Sequence, residues 1–138
     1  MSMLETLHSI AFEGRKWADG RKFKFKKRSL VGLCARTTAH LYRMVHKKLN
    51  ICPKIHISWT RDYGSHVYLV VLIQGVNYVI DSTIAQFPIH KGLDYLVLEE
   101  SKAQEFSMFY KSIQSFNSVC ELQQYTRKYK WPKRQIAY

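Results

Sequence analysis

The sequence is short of cysteine and has no long apolar run. Its three cysteines, Cys34, Cys52 and Cys120, are scattered and odd in number. They do not form a disulfide framework, so a reducing cytosol is the default compartment. No apolar run approaches the roughly 20 residues of a membrane-spanning helix, so no membrane association is predicted. Glu5 and His8 stand where a signal peptide would need an apolar segment, so none is predicted.

Acidic residues are also few. The chain has 10 Asp and Glu against 22 Lys and Arg, a formal charge of +12 at pH 7. A charge of this size predicts an anionic partner, either an acidic protein surface or nucleic acid. The basic residues crowd residues 15–28 and 127–134. The candidate contacts to such a partner are Lys22, Lys24, Lys26, Lys27 and Arg28.

The basic segment 21–28 has two interpretations. Alternation of lysine with Phe23 and Phe25 suits an edge strand protected by its charges, which charge runs favour. The same pattern suits a phosphate-binding strip with aromatic rings for stacking.

Length and composition predict one α+β domain over residues 1–138. A hydrophobic content of 46% with 14% aromatics excludes a wholly disordered chain. No internal repeat or low-complexity linker is present. The predicted elements are a helix over 3–18 ended by Gly20, a helix over 33–49, strands over 55–59, 67–73, 76–80 and 95–98, and helices over 99–112 and 117–129. Helices followed by antiparallel strands and then helices define the α+β class.

The central feature of the chain is a predicted β-hairpin. Two apolar runs, Val67–Ile73 and Val76–Ile80, flank Gln74-Gly75, and such a pattern is typical of a hairpin with a two-residue loop. With that loop Ile73 pairs with Val76. His66 at the start of the first strand and Asp81 at the end of the second then become diagonal neighbours on one face.

Cys34 lies at the start of the clearest helix in the sequence. Leu33, Leu41, Val45 and Leu49 follow the helical period, with Gly32 or Ser29 as N-cap and Asn50 as the stop. The helix dipole and the N–H groups of the first turn favour a thiolate at Cys34. For a lone cysteine the alternative is a small buried core residue.

A cysteine at a helix start, a histidine at a strand start and an acid one hairpin later supply the parts of nucleophilic cysteine catalysis. The sequence resembles the papain-like fold in its transglutaminase-like branch. The matching residues are Gly32-x-Cys34, Gly64-x-His66-Val-Tyr, and Tyr78-Val-Ile-Asp81-Ser-Thr83 followed by Gln86-Phe87. The D-S-T-x-x-Q-F ending is most similar to the protein-glutamine deamidases and toxin-type members.

The resemblance covers residues 30–87 and has two departures. Ser82 stands where family members often carry proline. No glutamine precedes Cys34, so a papain-type glutamine cannot form the oxyanion hole. The backbone N–H of Cys34 is one expected donor, and the second is undefined.

The resemblance implies a papain-like core, with a central Cys-bearing helix packed on an antiparallel sheet and a helical C-terminus. It implies Cys34 as nucleophile, His66 as general base and acid, and Asp81 as the group that orients the imidazole. The expected substrate-binding residues are Gly32, Leu33, Tyr68, Gln86 and Trp59.

No cofactor and no metal are implied. The expected substrate is a carboxamide of a protein with an acidic surface, and the small size of the chain favours a side-chain amide. Deamidase, transglutaminase and peptidase chemistry all stay open. The expected location is the cytoplasm, or a host or target cell into which the protein is delivered as an effector. The sequence does not define an oligomeric state.

Three other interpretations stay open. The protein could be a basic nucleic-acid-binding module or a catalytically inactive papain-like binding protein. A zinc site is disfavoured because neither C-x-x-C nor H-x-x-x-H spacing occurs.

Overall fold

The computed structural model describes residues 1–24 and 33–129. The helices in these ranges are α1 (Met3–Lys24), α2 (Cys34–Leu49), α3 (Glu100–Phe106) and α4 (Val119–Tyr129). The strands are β1 (Lys54–Thr60), β2 (Gly64–Ile73), β3 (Val76–Asp81), β4 (Leu96–Glu99) and β5 (Ser112–Phe116). Short 3₁₀ turns lie at Ile84–Gln86, Pro88–His90 and Met108–Tyr110.

The five strands form one antiparallel sheet in the order β4-β3-β2-β1-β5. Alternate side chains of the strands belong to two different cores. On one face, Val67, Leu69 and Ile80 pack with residues of α1, α2 and α4. On the other face, Tyr68, Val70 and Val79 pack with α3 and the Met108–Tyr110 turn. The chain is therefore an α+β protein, as the sequence predicts.

The central hairpin has the predicted register. Ile73 pairs with Val76 and Val70 with Val79. Gln74 and Gly75 have φ angles of 51° and 81°. Both angles are positive, as the two central residues of a type I′ turn require, and this turn matches the twist of the flanking strands. The hairpin prediction is confirmed.

Helix α2 begins one residue later than predicted. Its N-cap is Leu33, not Gly32 or Ser29, and Leu33 makes no side-chain capping hydrogen bond. Gly32 lies outside the described residues, as does Ser29. Cys34 is thus the first helical residue. The predicted stop at Asn50 is confirmed, because Asn50 is left-handed with φ 55° and its N–H donates to the carbonyl of His46.

Helix α1 is longer than predicted. It passes through Gly20 and ends at Lys24, so the strand prediction is wrong for residues 21–24. Asp19 forms ion pairs with Arg15, at 3.2 Å, and with Lys22, at 3.5 Å, and the second pair spans Gly20. Such pairs three and four residues apart favour continued helix. Residues 25–28 of the predicted strand lie outside the described residues.

The C-terminal third is less helical than predicted. The helix expected over residues 99–112 ends at Phe106, and β5 follows and pairs with β1. Ser107 is extended, with φ −154°, and its hydroxyl accepts a hydrogen bond from the N–H of Phe109. This contact starts the 3₁₀ turn and ends the helix. Four of the five residues of β5 are exposed, so the strand carries no apolar alternation that would indicate it.

Helix α1 packs closely against α2 and the loop that follows β3. The hydroxyl of Ser82 donates to the carbonyl of Ala11 at 2.7 Å. A Cβ at Gly14 would lie 2.5 Å from a methyl carbon of Leu41 and 2.6 Å from Oγ of Ser82. Only glycine at position 14 allows α1 to lie this close to Leu41 and Ser82. The close contact holds in place the loop that directly follows Asp81.

The helices of the described ranges include none with both the length and the apolar character needed to cross a bilayer.

Candidate active site

Three elements place Cys34, His66 and Asp81 together. Cys34 opens α2, His66 is the third residue of β2, and Asp81 ends β3. Nε2 of His66 lies 2.6 Å from Oδ2 of Asp81. The side chain of Cys34 is hydrogen-bonded to His66. The imidazole therefore lies between a thiol and a carboxylate.

All three side chains are withdrawn from solvent. The exposed fractions are 0% for Cys34, 1% for His66 and 2% for Asp81. Burial of an ionisable pair is costly unless each charge is matched by a partner. Here the partners are present, since the His66–Asp81 distance is that of a short charge-assisted hydrogen bond.

Asp81 has further donors on both carboxylate oxygens. Oδ1 accepts from the N–H of Thr83 at 2.9 Å and from its hydroxyl at 3.1 Å. Oδ2 accepts from the hydroxyl of Tyr110 at 2.7 Å, in addition to its contact with His66. Asp81 thus both caps the turn that follows β3 and binds the imidazole.

The pKa values follow from these contacts. Burial alone would lower the pKa of His66, but the charge and hydrogen bond of Asp81, and contact with Cys34, raise it to about 10. Burial alone would raise the pKa of Asp81, but the charge and hydrogen bond of His66, and the donors Tyr110 and Thr83, lower it. The pair is accordingly an imidazolium and a carboxylate at neutral pH.

Aromatic rings enclose His66. The ring centroid of Phe87 lies 4.8 Å from that of His66, and those of Tyr110 and Tyr68 lie at 5.9 and 6.0 Å. Phe87 is in turn stacked on Phe109, at 3.6 Å. These rings limit the rotation of the imidazole and exclude water from it.

Gln86 is the one predicted substrate-binding residue that contacts His66 through a hydrogen-bonding group. Its Nε2 lies 3.3 Å from Nδ1 of His66 and 3.2 Å from the hydroxyl of Thr83. Gln86 is half-buried. It therefore presents an amide beside the imidazole nitrogen that Asp81 does not occupy.

The other predicted substrate-binding residues differ in their placement. Tyr68 is fully buried, as Cys34 is, and its role in substrate binding stays a prediction. Leu33 is also buried, against Ala18 and Ala85. Trp59 is 57% exposed and pairs with Ser65, the residue before His66.

The predicted basic contacts are only partly described. Lys22 lies on α1 and pairs with Asp19. Lys24 is the last residue of α1. Lys26, Lys27 and Arg28 lie outside the described residues.

Two cavities in the described part of the chain lie away from Cys34, His66 and Asp81. One of about 400 Å³ opens on the sheet face that also carries His66, further along β1 and β2. Its polar lining includes Lys54, His56 and Glu100. Within residues 1–24 and 33–129, no group of three or more His, Cys, Asp or Glu is placed to bind a metal ion.

Thr83 and Tyr110 are site residues that sequence reasoning did not assign. Thr83 follows Asp81 by two positions, a spacing typical of a local Asx turn, so its contact has a sequence signal. Tyr110 is 29 residues from Asp81 and has no such signal.

No protein-family model, curated protein or solved structure significantly matches the chain.

Proposed function

We propose that this protein is a cysteine-nucleophile acyl-transfer enzyme, papain-like in its transglutaminase-like branch, that acts on a side-chain carboxamide of a protein. The observation that carries the proposal is the contact series Cys34–His66–Asp81. Nε2 of His66 binds Asp81 at 2.6 Å, and the same imidazole is hydrogen-bonded to Cys34. A thiol, a base and a group that orients the base are the parts that such catalysis requires.

The two imidazole nitrogens of His66 have different roles. Asp81 engages Nε2, so Nδ1 is the nitrogen that exchanges a proton with Cys34. Because its pKa is raised to about 10, His66 is an imidazolium at neutral pH and carries the proton that the leaving nitrogen needs. A positive charge held by Asp81 beside the sulfur is the environment that favours the thiolate form of a cysteine.

In the first half-reaction, the thiolate of Cys34 attacks the carboxamide carbon and a C–S bond forms. As the tetrahedral intermediate collapses, the C–N bond breaks and His66 gives its proton to the leaving nitrogen. Ammonia departs and a thioester remains on Cys34.

In the second half-reaction, neutral His66 takes a proton from water as the water oxygen attacks the thioester carbon. The C–S bond breaks, a carboxylic acid is released, and the imidazolium and thiolate are restored. A primary amine in place of water gives a substituted amide, which is a crosslink. The same site therefore serves deamidation and crosslinking.

The developing oxyanion needs donors. The backbone N–H of Cys34 at the start of α2 is one, since helix N-termini favour negative charge. We propose the side-chain amide of Gln86 as the second donor, because its Nε2 lies 3.3 Å from Nδ1 of His66, on the side of the ring where the reacting carboxamide must lie.

The burial of Cys34 bears on the substrate. A sulfur with no exposed surface is reached only after neighbouring groups move, as happens in enzymes with closing segments. A slender glutamine side chain demands a smaller opening than an extended main chain does. This favours a side-chain amide over a peptide bond.

The test is ammonia release from casein, an acidic protein with accessible glutamines, with mass spectrometry of the quenched enzyme to detect an acyl adduct on Cys34. Cys34→Ala and His66→Ala should each remove nearly all activity, because residues that act as a unit fail together. Asp81→Asn should leave a measurable remnant, since Asp81 orients and does not react. A Cys52→Ser/Cys120→Ser variant is the control and should stay active. Undiminished activity of Cys34→Ala would show the proposal to be wrong.

A nucleic-acid-binding module is the second candidate, and the charge of +12 favours it. Charge alone supplies sequence-independent binding to phosphates. This candidate predicts strong salt dependence and no effect of Cys34→Ala.

A further inference from the structure

Tyr110 is buried at the end of the 3₁₀ turn between α3 and β5. Its side chain has no exposed surface, and its hydroxyl donates to Oδ2 of Asp81 at 2.7 Å. The turn is anchored to the sheet, because the hydroxyl of Ser58 on β1 donates to the carbonyl of Phe109. The ring of Tyr110 also meets the edge of His66, with centroids 5.9 Å apart.

The hydroxyl of Tyr110 shares its acceptor oxygen with the imidazole. Oδ2 of Asp81 receives both Tyr110 and Nε2 of His66, while Oδ1 receives the two donors of Thr83. Four donors on two buried oxygens leave the carboxylate with its charge fully matched. A hydrogen bond to the ionised form stabilises that form.

Removing one donor would leave a buried charge less well satisfied. The carboxylate would then take up a proton more readily and would be freer to turn. Both changes weaken its hold on Nε2 of His66. The imidazole would lose the orientation that directs Nδ1 away from Asp81.

We propose that Tyr110 is a positioning residue of the site, whose hydroxyl keeps the Asp81 carboxylate ionised and aimed at Nε2 of His66. The inference deepens the proposed function and rests on it for its catalytic meaning. The proposal adds Tyr110 to Cys34, His66 and Asp81 as a working part of the candidate site.

Tyr68 offers a matched control. It is as fully buried as Tyr110, and its ring also contacts His66, with centroids 6.0 Å apart. Its hydroxyl lies near Ser112 but makes no hydrogen bond of ordinary geometry among the described residues. Replacing Tyr68 with Phe therefore removes a buried hydroxyl without removing a donor from Asp81.

The experiment compares Tyr110→Phe with Tyr68→Phe by carbon NMR titration of the Asp81 carboxyl. The groups that can influence this titration are His66 and Tyr68 on β2, Cys34 on α2, Tyr110 in its turn, and His90 in the loop after β3. Tyr110→Phe should raise the Asp81 titration midpoint by about one pH unit, and Tyr68→Phe should leave it nearly unchanged. Equal shifts in both variants, or no shift in either, would overturn the proposal.

A second variant protects the test against misfolding. Site-specific 3-fluorotyrosine at position 110 keeps the hydroxyl and makes it a stronger donor, so the midpoint should fall. A midpoint that stays fixed or rises with the fluorinated residue would also overturn the proposal.

The titration needs no substrate, so the two proposals fail in different ways. If Tyr110→Phe shifts the Asp81 midpoint while Cys34 reacts as an ordinary thiol, the contact stands and the catalytic proposal fails. The rate at which iodoacetamide alkylates Cys34 can be measured across pH in the same variants. If Cys34 reacts faster than an ordinary thiol at low pH, and Tyr110→Phe changes neither the Asp81 midpoint nor the low-pH part of that rate profile, the role of Tyr110 alone fails.

Discussion

His66 and Asp81 are ionisable residues at buried positions, where a charged side chain costs folding free energy. Each is almost fully buried, and transfer of a lone charge from water to such a place costs several kcal/mol. The cost is offset because each charge lies against the other and against further hydrogen-bond donors. Breaking the pair by removing one partner should therefore be strongly destabilising.

The pair predicts a pH-dependent stability difference between wild type and Asp81→Asn. The folded pKa of Asp81 is lowered, so its contribution is present above its unfolded value of 3.8 and is lost as the pH falls through the folded pKa. The folded pKa of His66 is raised, so its contribution is present below 6.5 and is lost as the pH rises through about 10. The difference in unfolding free energy should be largest between pH 3.8 and 6.5, at roughly 3 kcal/mol.

Urea unfolding across pH measures this difference. Asp62→Asn is the control, since Asp62 is an exposed acid in the turn between β1 and β2. The difference in unfolding free energy between Asp62→Asn and wild type should be small and should not change with pH. If the difference between Asp81→Asn and wild type also does not change with pH, His66 and Asp81 are not a charged pair.

At the residue scale, the sequence predicts the contacts that depend only on local secondary structure. His66 and Asp81 follow from the period-2 alternation of a hairpin whose register a two-residue loop fixes. Their contact could be predicted without knowing the rest of the fold. Tyr110 could not, because its place beside Asp81 depends on how the segment after α3 packs back onto the sheet.

At the scale of elements, α1 decides how the loop after Asp81 is held. Gly14 lets α1 approach Leu41 and Ser82, and the Ser82 hydroxyl binds the carbonyl of Ala11. The loop leads directly from Asp81 to Gln86, so a shift of α1 would be felt at the site.

Two glycines of α1 make a matched pair for testing this packing. Alanine favours helix over glycine by about 1 kcal/mol, and a Cβ at Gly20 would meet nothing within 4 Å. Gly20→Ala should therefore stabilise the protein by up to about 1 kcal/mol. Gly14→Ala should destabilise it by about 1–2 kcal/mol, because overpacking outweighs helix propensity. Thermal unfolding of both variants is the measurement, and stabilisation by Gly14→Ala would contradict the close packing.

Elements with a strong periodic pattern were predicted well, and elements set by tertiary contacts were not. The hairpin, α2 and α4 carry their own apolar spacing or turn residues. β5 is largely exposed and forms because β1 offers it backbone partners. Helix α1 continues through Gly20, where the glycine alone indicated a stop, and the Asp19–Lys22 ion pair spans that position.

At the scale of the whole molecule, the formal charge of +12 favours association with an anionic partner. Basic residues of segment 15–28 immediately precede the helix that carries Cys34. We expect them to attract an acidic protein surface and to raise the association rate more than the chemical rate.

Neutralising Lys24, Lys26 and Lys27 together tests this expectation. The change should lower kcat/KM at low salt and leave kcat nearly unchanged, and the loss should shrink as salt rises, because the Debye length is about 8 Å at physiological ionic strength. Lys47 and Lys48 are exposed at the far end of α2, about 20 Å from Cys34, and neutralising them should have less effect.

A gel-shift titration on DNA and RNA across a salt series examines the rival partner. Tight binding with a steep negative salt slope, unaffected by Cys34→Ala, would defeat the protein-substrate proposal. Weak binding to both nucleic acids, together with activity on an acidic protein, would support it.

The most direct measurement of the central claim is the pH dependence of Cys34 alkylation by iodoacetamide, a small electrophile that itself carries a carboxamide. Cys52 and Cys120 are exposed thiols in the same chain and serve as internal references. If Cys34 forms a thiolate with His66, it should be labelled first near pH 6, where ordinary thiols are mostly protonated, and His66→Ala should abolish that preference. Labelling of Cys34 in parallel with the two reference thiols, labelling that does not depend on His66, or no labelling of Cys34 at any pH would contradict the account.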